Sequence, residues 1–337
     1  EGDTPTVNSR WLGSKLGIKH LKFKAEHLNP SGSFKDRFAA CAVSLMRQAG
    51  QTGCLCTSSG NAGAALAAYT AAAGIECHVA ITEQTPQGKL AQMLAHGAKL
   101  WRIKGFGTDS TATSTILEQL RALAESSNRP LLVSAYAFCP VAADGTMTIA
   151  FELCEAATGA PDHVFVPVGG GGSLSGIAKG FALRYSQGLI PYMPRIHAVQ
   201  PRLNDTLVTP LRSSHASARS VTTATAISGL AVPVDIDGTR ALKSVRDSGG
   251  SGFLVDDDDV WAIQKDLMRR EGMYVEPAGA LACGGVAAAV RQGVVSEDDS
   301  VVCILSGHGF KDPSAVSRAT GDAEVPLIEP RDTEGVL

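Results

Sequence analysis

The chain has 337 residues, 44% hydrophobic and 19% charged, with a formal net charge of −3, which describes a soluble globular protein of about two domains. It carries no basic run, so a nucleic-acid partner held by charge is excluded, and the one acidic block, Asp256 to Asp259, precedes a helical pattern that carboxylates favour. No apolar run reaches the roughly 18 residues of a membrane-spanning helix, and Glu1 opens no signal-peptide pattern, so no membrane partner and a cytoplasmic location are expected.

The first element with chemical character is Asn29 to Arg37, NPSGSFKDR, followed by FAACAVSLMRQAG. Apolar residues at Phe38, Ala42, Leu45 and Met46 predict an amphipathic helix ending at Gly50, with Lys35 in its first turn. A positive charge is disfavoured at a helix N-terminus, so an amine there sheds its proton more readily than a free lysine. An unprotonated lysine is a nucleophile toward a carbonyl and forms Schiff bases. The competing reading is a surface lysine beside an N-cap serine.

Beyond it, strand-like and helix-like runs alternate, which predicts parallel α/β architecture. Strands are expected at Cys54, Cys77, Lys99, Leu131, His163, Ile196 and Ser300, separated by helices over Asn61–Ala73, 88–95, 111–126, 146–157, 260–271 and 279–292. The first four strands form one block and the remaining strands a second sheet, while residues 206–225, rich in Ser, Thr, His and Arg, read as an irregular loop. Eight cysteines lie mostly in apolar runs. Cys54 and Cys56 share a strand face without convincing His or Cys partners, so no metal site is expected.

In parallel sheets, ligands bind where strands run into helices. TSSGNAG, from Thr57, offers backbone amides and the hydroxyls of Ser58 and Ser59 to a carboxylate, and the Asn61 amide to an oxygen anion; serine capping of a turn is the alternative. Gly169, Gly170, Gly171 and Gly172 let the backbone turn several N–H groups onto one anion, with Ser173 adding a hydroxyl, and phosphate is the natural ligand. Neither a dinucleotide fingerprint nor the GxxxxGK[ST] spacing is present, so a small phosphorylated cofactor fits better than NAD or ATP. Ser306, at the end of VVCIL, can hydrogen-bond a neutral ring nitrogen, and Glu276 reads as a pocket-edge or helix-start carboxylate.

In this order, EGDTP, NPSGSFKDR, SSGNAG, the glycine loop, VEPAGA and SGHGFKDP resemble the fold type II family of pyridoxal phosphate enzymes over nearly the whole chain, and within it most closely the threonine synthase branch. The resemblance implies two open, twisted, mainly parallel sheets flanked by helices, as in a tryptophan synthase β-like fold, with the active site in the cleft between domains. Residues 1–40 and 143–337 would form a large cofactor-binding domain, and residues 41–142 a small α/β domain carrying the substrate-carboxylate loop. It further implies a homodimer, with pyridoxal 5'-phosphate bound as a Schiff base by Lys35. Asn61 would face the cofactor's phenolic oxygen, the glycine run and Ser173 its phosphate, and Ser306 its pyridine nitrogen. Ser58, Ser59 and Gly60 would receive the substrate carboxylate, and Arg37, two residues after Lys35, is the leading cation for a substrate phosphate.

The implied activity is a lyase on a small O-phosphorylated amino acid, converting phosphohomoserine and water to threonine and phosphate. GGGGS looks more like the phosphate loop of serine and threonine dehydratases, and Phe38, Ser31 and Ala62 depart from the synthase pattern. A dehydratase-type β-elimination, a β-replacement similar to cysteate synthase, and a catalytically silent metabolite-binding paralogue are the alternatives.

Overall fold

A computed structural model describes the chain except for residues 59, 84, 86–89, 107–109, 156–158, 322–324, 326 and 328–337. Its strands are β1 (Thr6–Asn8), β2 (His20–Lys24), β3 (Gly53–Cys56), β4 (Glu76–Thr82), β5 (Lys99–Ile103), β6 (Leu131–Leu132), β7 (His163–Pro167), β8 (Arg195–Pro201), β9 (Gly252–Val255) and β10 (Ser300–Ile304). They build a six-stranded sheet, β1-β2-β10-β7-β8-β9, parallel apart from the β1–β2 edge, and a four-stranded parallel sheet, β5-β4-β3-β6.

Alternation along the central strands of the larger sheet sorts its side chains onto two covered faces, as a parallel sheet with helices on both sides requires. Val164, Val166, Ile196, Ala198, Val302 and Ile304 pack on the helices Thr148–Glu155, Gly172–Ser186 and Gly238–Asp247. Phe165, Val199, Val301 and Cys303 pack on the helix Pro277–Arg291 from the other side. Gly285 of that helix lies so close to β8 that a Cβ would stand 2.3 Å from Val199 Cγ2. In the smaller sheet, Cys54, Cys56, Cys77, Val79 and Ile81 face the helices Lys35–Gln48 and Asn61–Ala73 through Phe38, Ala39, Met46 and Leu66.

The Asn61–Ala73 helix has the bounds its alanine run predicts. The three strands sequence periodicity did not find, β1, β2 and β9, have three to five residues each. β2 reads HLKFK, polar at alternate positions, and only pairing with β10 marks it as interior. The loop expected over 206–225 contains a short helix, Val208–Arg212. Residues 35–48 form one helix, so a division between residues 40 and 41 cuts through it. Among the described residues, no helix is long and apolar enough to cross a membrane, and no cluster of His, Cys, Asp and Glu is arranged to hold a metal ion.

Candidate active site

Segments that follow β2, β3, β6, β7 and β10 converge at the C-terminal ends of the two sheets, where parallel α/β proteins bind ligands. The segment after β2 folds tightly onto the one after β10. Phe34 donates its N–H to the Ser306 carbonyl at 3.0 Å, and Ser33 forms a bridge with Gly307. The Asp36 carboxylate turns back to accept the N–H of Ser31 at 2.6 Å and its hydroxyl as well. Gly32 has φ +89°, and a Cβ there would stand 3.1 Å from Lys311 Cε, which explains why the turn needs glycine.

Lys35 opens the Lys35–Gln48 helix, and Phe34 rather than a serine stands at the N-cap position, where no side-chain cap bond is made. Its ammonium donates to Ser134 Oγ at 2.9 Å and lies 4.7 Å from the centre of the Phe34 ring. No carboxylate among the described residues pairs with it. Burial lowers its pKa to about 8, against the pull of the Asp237 charge. The lowered basicity expected from sequence therefore has desolvation as its main cause.

The glycine run crosses from β7 into the Gly172–Ser186 helix, whose first N–H groups have no partner within the helix. Gly171 has φ +99°, and a Cβ there would stand 2.7 Å from the Asp237 carbonyl; at Gly172 a Cβ would stand 2.9 Å from Asp237 Oδ2. Only a chain without side chains passes here. The Asp237 carboxylate is itself held by the N–H groups of Tyr136 (2.8 Å) and Ala137 (3.0 Å). The segment that supplies Ser134 to Lys35 is thus fastened beside the glycine run. Ser173 is half-buried in the first helical turn, and Ser306 is buried at the end of β10.

After β3, Ser58 Oγ accepts the Gly60 N–H at 3.3 Å, and Asn61 begins the next helix. Ser59 lies outside the described residues. Asn61 Nδ2 donates to Glu276 Oε1 at 2.8 Å, a bond from the smaller sheet's first loop to the larger sheet's side.

Arg37 is the exception, and the expectation that it binds substrate is corrected. Its side chain is 1% exposed and bonds Glu26 through Nε and Nη2 at 2.7 and 2.6 Å. It also bonds Glu152 at 2.6 and 2.9 Å and Thr148 Oγ1 at 2.7 Å. Lys24 joins the cluster through Glu152 at 2.5 Å. Two positions along a helix is about 200° around it, so adjacency to Lys35 in sequence turns Arg37 away from Lys35 in space. Of three further cations that could meet a substrate phosphate, Arg202 pairs with Asp256 at 2.6 Å on the surface and Lys104 is exposed, whereas Lys311 bonds the Gln92 amide oxygen at 2.5 Å.

Sequence reasoning did not find Ser134 or Asp237. A serine just after the expected strand at Leu131 was a usable signal, whereas Asp237 before a glycine and a helix reads as an ordinary cap. These loops carry an amine of lowered pKa, a glycine run at a helix N-terminus, an asparagine amide and a buried strand-end serine, a donor set suited to a phosphorylated carbonyl cofactor.

The family model described as pyridoxal-phosphate dependent enzyme matches residues 1–307. The chain belongs to that family. It is a pyridoxal phosphate-dependent lyase of the fold type II class, with pyridoxal phosphate as cofactor. This member of the pyridoxal-phosphate dependent enzymes is 35% identical over 328 residues to the threonine synthase of Methanocaldococcus jannaschii, covering 95% of this chain and 78% of that one. With the threonine synthase of Mycobacterium leprae it shares 34% identity over 337 residues, 100% of this chain and 88% of the relative. Among solved structures, the processed form of threonine deaminase isoform 2 from Solanum lycopersicum superposes with TM-score 0.77 at 24% identity, covering 94% of this chain and 87% of that one, a likeness of fold. A threonine deaminase from T.th. matches with TM-score 0.74 and 27% identity, covering 90% of this chain and 92% of that one.

Proposed function

We propose that the protein is a threonine synthase, acting on O-phosphohomoserine and water to give threonine and phosphate. The observation that carries the chemistry is Lys35, an amine of pKa about 8 that bonds a neutral hydroxyl and is surrounded by loops from both sheets. The choice of reaction is supported by relatives of that name matching 95% and 100% of the chain.

On this reading Lys35 holds the cofactor's aldehyde carbon, and the amides of Gly169 to Gly172 with the Ser173 hydroxyl receive its phosphate. Asn61 faces its phenolic oxygen, and Ser306 its ring nitrogen. Bound there, pyridoxal phosphate supplies an electron sink for negative charge at the substrate's α carbon. Lys35 Nζ, freed by the substrate amine, would take the α proton and pass it to the bound cofactor, then take a β proton and deliver it to the γ carbon once phosphate has left; as water adds at the β carbon a proton is restored to the α carbon and the water's other proton goes out with the phosphate. Ser134 Oγ, which accepts from Nζ, keeps the amine aimed between those positions. Ser58, Ser59 and Gly60 fix the substrate carboxylate, and Lys311, stationed on a neutral amide, is the cation for the phosphate that leaves. Residues 1–40 and 143–337 then carry the cofactor and residues 41–142 the carboxylate loop. The homodimer rests on the family resemblance alone.

A second reading, elimination from unphosphorylated serine or threonine, is favoured by the GGGGS loop and by the likeness to the T.th. threonine deaminase. Incubating the cofactor-loaded enzyme separately with phosphohomoserine, phosphoserine, serine and threonine decides between them. Free phosphate with threonine is expected from the first substrate. An oxo acid and ammonia from serine or threonine, with phosphohomoserine untouched, would overturn the synthase reading.

A further inference from the structure

Glu276 stands at the N-cap position of the Pro277–Arg291 helix, yet its side chain makes no cap bond to that helix. It is 6% exposed. The carboxylate instead reaches over the chain after β10 to Asn61 Nδ2, 2.8 Å away. The route is open only because residue 307 is glycine: a Cβ there would stand 2.0 Å from Glu276 Oε1 and 3.2 Å from Asn61 Nδ2. The backbone around it is fixed. The Glu276 N–H donates to the Gly307 carbonyl at 2.9 Å, and Val275 bridges to His308.

A side-chain carboxamide has two nearly isosteric orientations, and its neighbours decide which end is N–H and which is C=O. A carboxylate accepts from the NH₂ end and repels the oxygen, so Glu276 sets the Asn61 amide one way round. The second N–H of Nδ2 is then available to another acceptor. We propose that Glu276 is a positioning residue: it orients Asn61 so that a side-chain N–H, and not the amide oxygen, is presented to the phenolic oxygen of the cofactor. The inference rests on the reading of Asn61 given above. Glu276 acts through Asn61 and touches neither substrate nor cofactor.

The test reads the cofactor's own titration instead of turnover. A donor on the phenolic oxygen withdraws charge from it and lowers the pH at which the nitrogen joining Lys35 to the cofactor loses its proton. Absorbance spectra of the cofactor-loaded enzyme across pH give that midpoint. Asn61→Ala is expected to raise it by about one pH unit when Glu276 is present. In a Glu276→Ala background the same Asn61→Ala change is expected to move it by less than half as much, since the amide has lost its orientation. Glu276→Gln, which keeps an acceptor for Nδ2, is expected to restore most of the Asn61→Ala shift and serves where Glu276→Ala folds poorly. Equal Asn61→Ala shifts in all three backgrounds would overturn the positioning role, because a purely structural or through-space effect of Glu276 leaves the contribution of Asn61 untouched. No Asn61→Ala shift in the Glu276 protein would instead overturn the placement of Asn61 on the cofactor oxygen.

Discussion

Lys35 and Arg37 are two residues apart on one helix, and they have been given opposite surroundings. Arg37 is enclosed by Glu26 and Glu152, with Lys24 completing a buried cluster of balanced charge. Lys35 is withdrawn from water beside a serine hydroxyl and an aromatic ring, with Asp237 acting only from further off. Burial opposes charge at both. At Arg37 the two carboxylates overcome it, and the guanidinium is held in its charged form. At Lys35 burial wins, and the amine becomes easier to deprotonate. The pair shows that the same cost of desolvation yields a scaffold or a reagent depending on whether counter-ions are supplied.

Substitutions should separate the two. Lys35→Ala removes the amine without touching a packed charge, and turnover is expected to fall by at least about 1,000-fold while the thermal midpoint stays close to that of the parent. Retained activity would contradict the assigned role. Arg37→Met should do the reverse, leaving the buried Glu26 carboxylate without its ionic partner and Glu152 with Lys24 alone, and costing about 3–5 kcal/mol in urea unfolding. A loss below about 1 kcal/mol would mean the cluster is incidental.

A smaller effect, in pH, sharpens the contrast. Capture of pyridoxal phosphate by cofactor-free protein should accelerate as pH rises through about 8, where Lys35 deprotonates, and not near the ordinary 10.5. The buried cluster responds at the opposite end of the scale. Arg37 and Lys24 hold the Glu152 carboxyl near 2 against a burial penalty, below its ordinary 4.5. A depressed carboxyl contributes stability that is complete above its unfolded value and is lost as pH falls toward the folded one. Stability should therefore drop between about pH 4.5 and 2, and the Arg37→Met protein, with only Lys24 left on Glu152, should show a smaller drop.

Much of this could be read from residue order, because the site is built from loops whose chemistry is local. A lysine after SGSF, four glycines after HVFVPV and a serine after VVCIL are each recognisable as candidate groups from local sequence alone. Helix bounds were legible where composition is uniform, as in Asn61–Ala73. What escaped depends on contacts far apart in the chain. Asp237 matters because Tyr136 and Ala137, about a hundred residues earlier, donate to it. β2 is a strand because β10 lies beside it. Arg37 was misjudged because nearness in sequence was taken for nearness in space, when helical rotation points it to Glu26.

The helix that carries both cations begins in loops of the larger sheet and presents Phe38, Ala39, Ala42 and Met46 to the core of the smaller one. Mechanically it is a shaft with its bearing at Arg37, clamped to Glu26 and Glu152, and its load on the smaller sheet. The tip of the shaft is Lys35, so the placement of the smaller sheet and the aim of that amine are set by one rigid element.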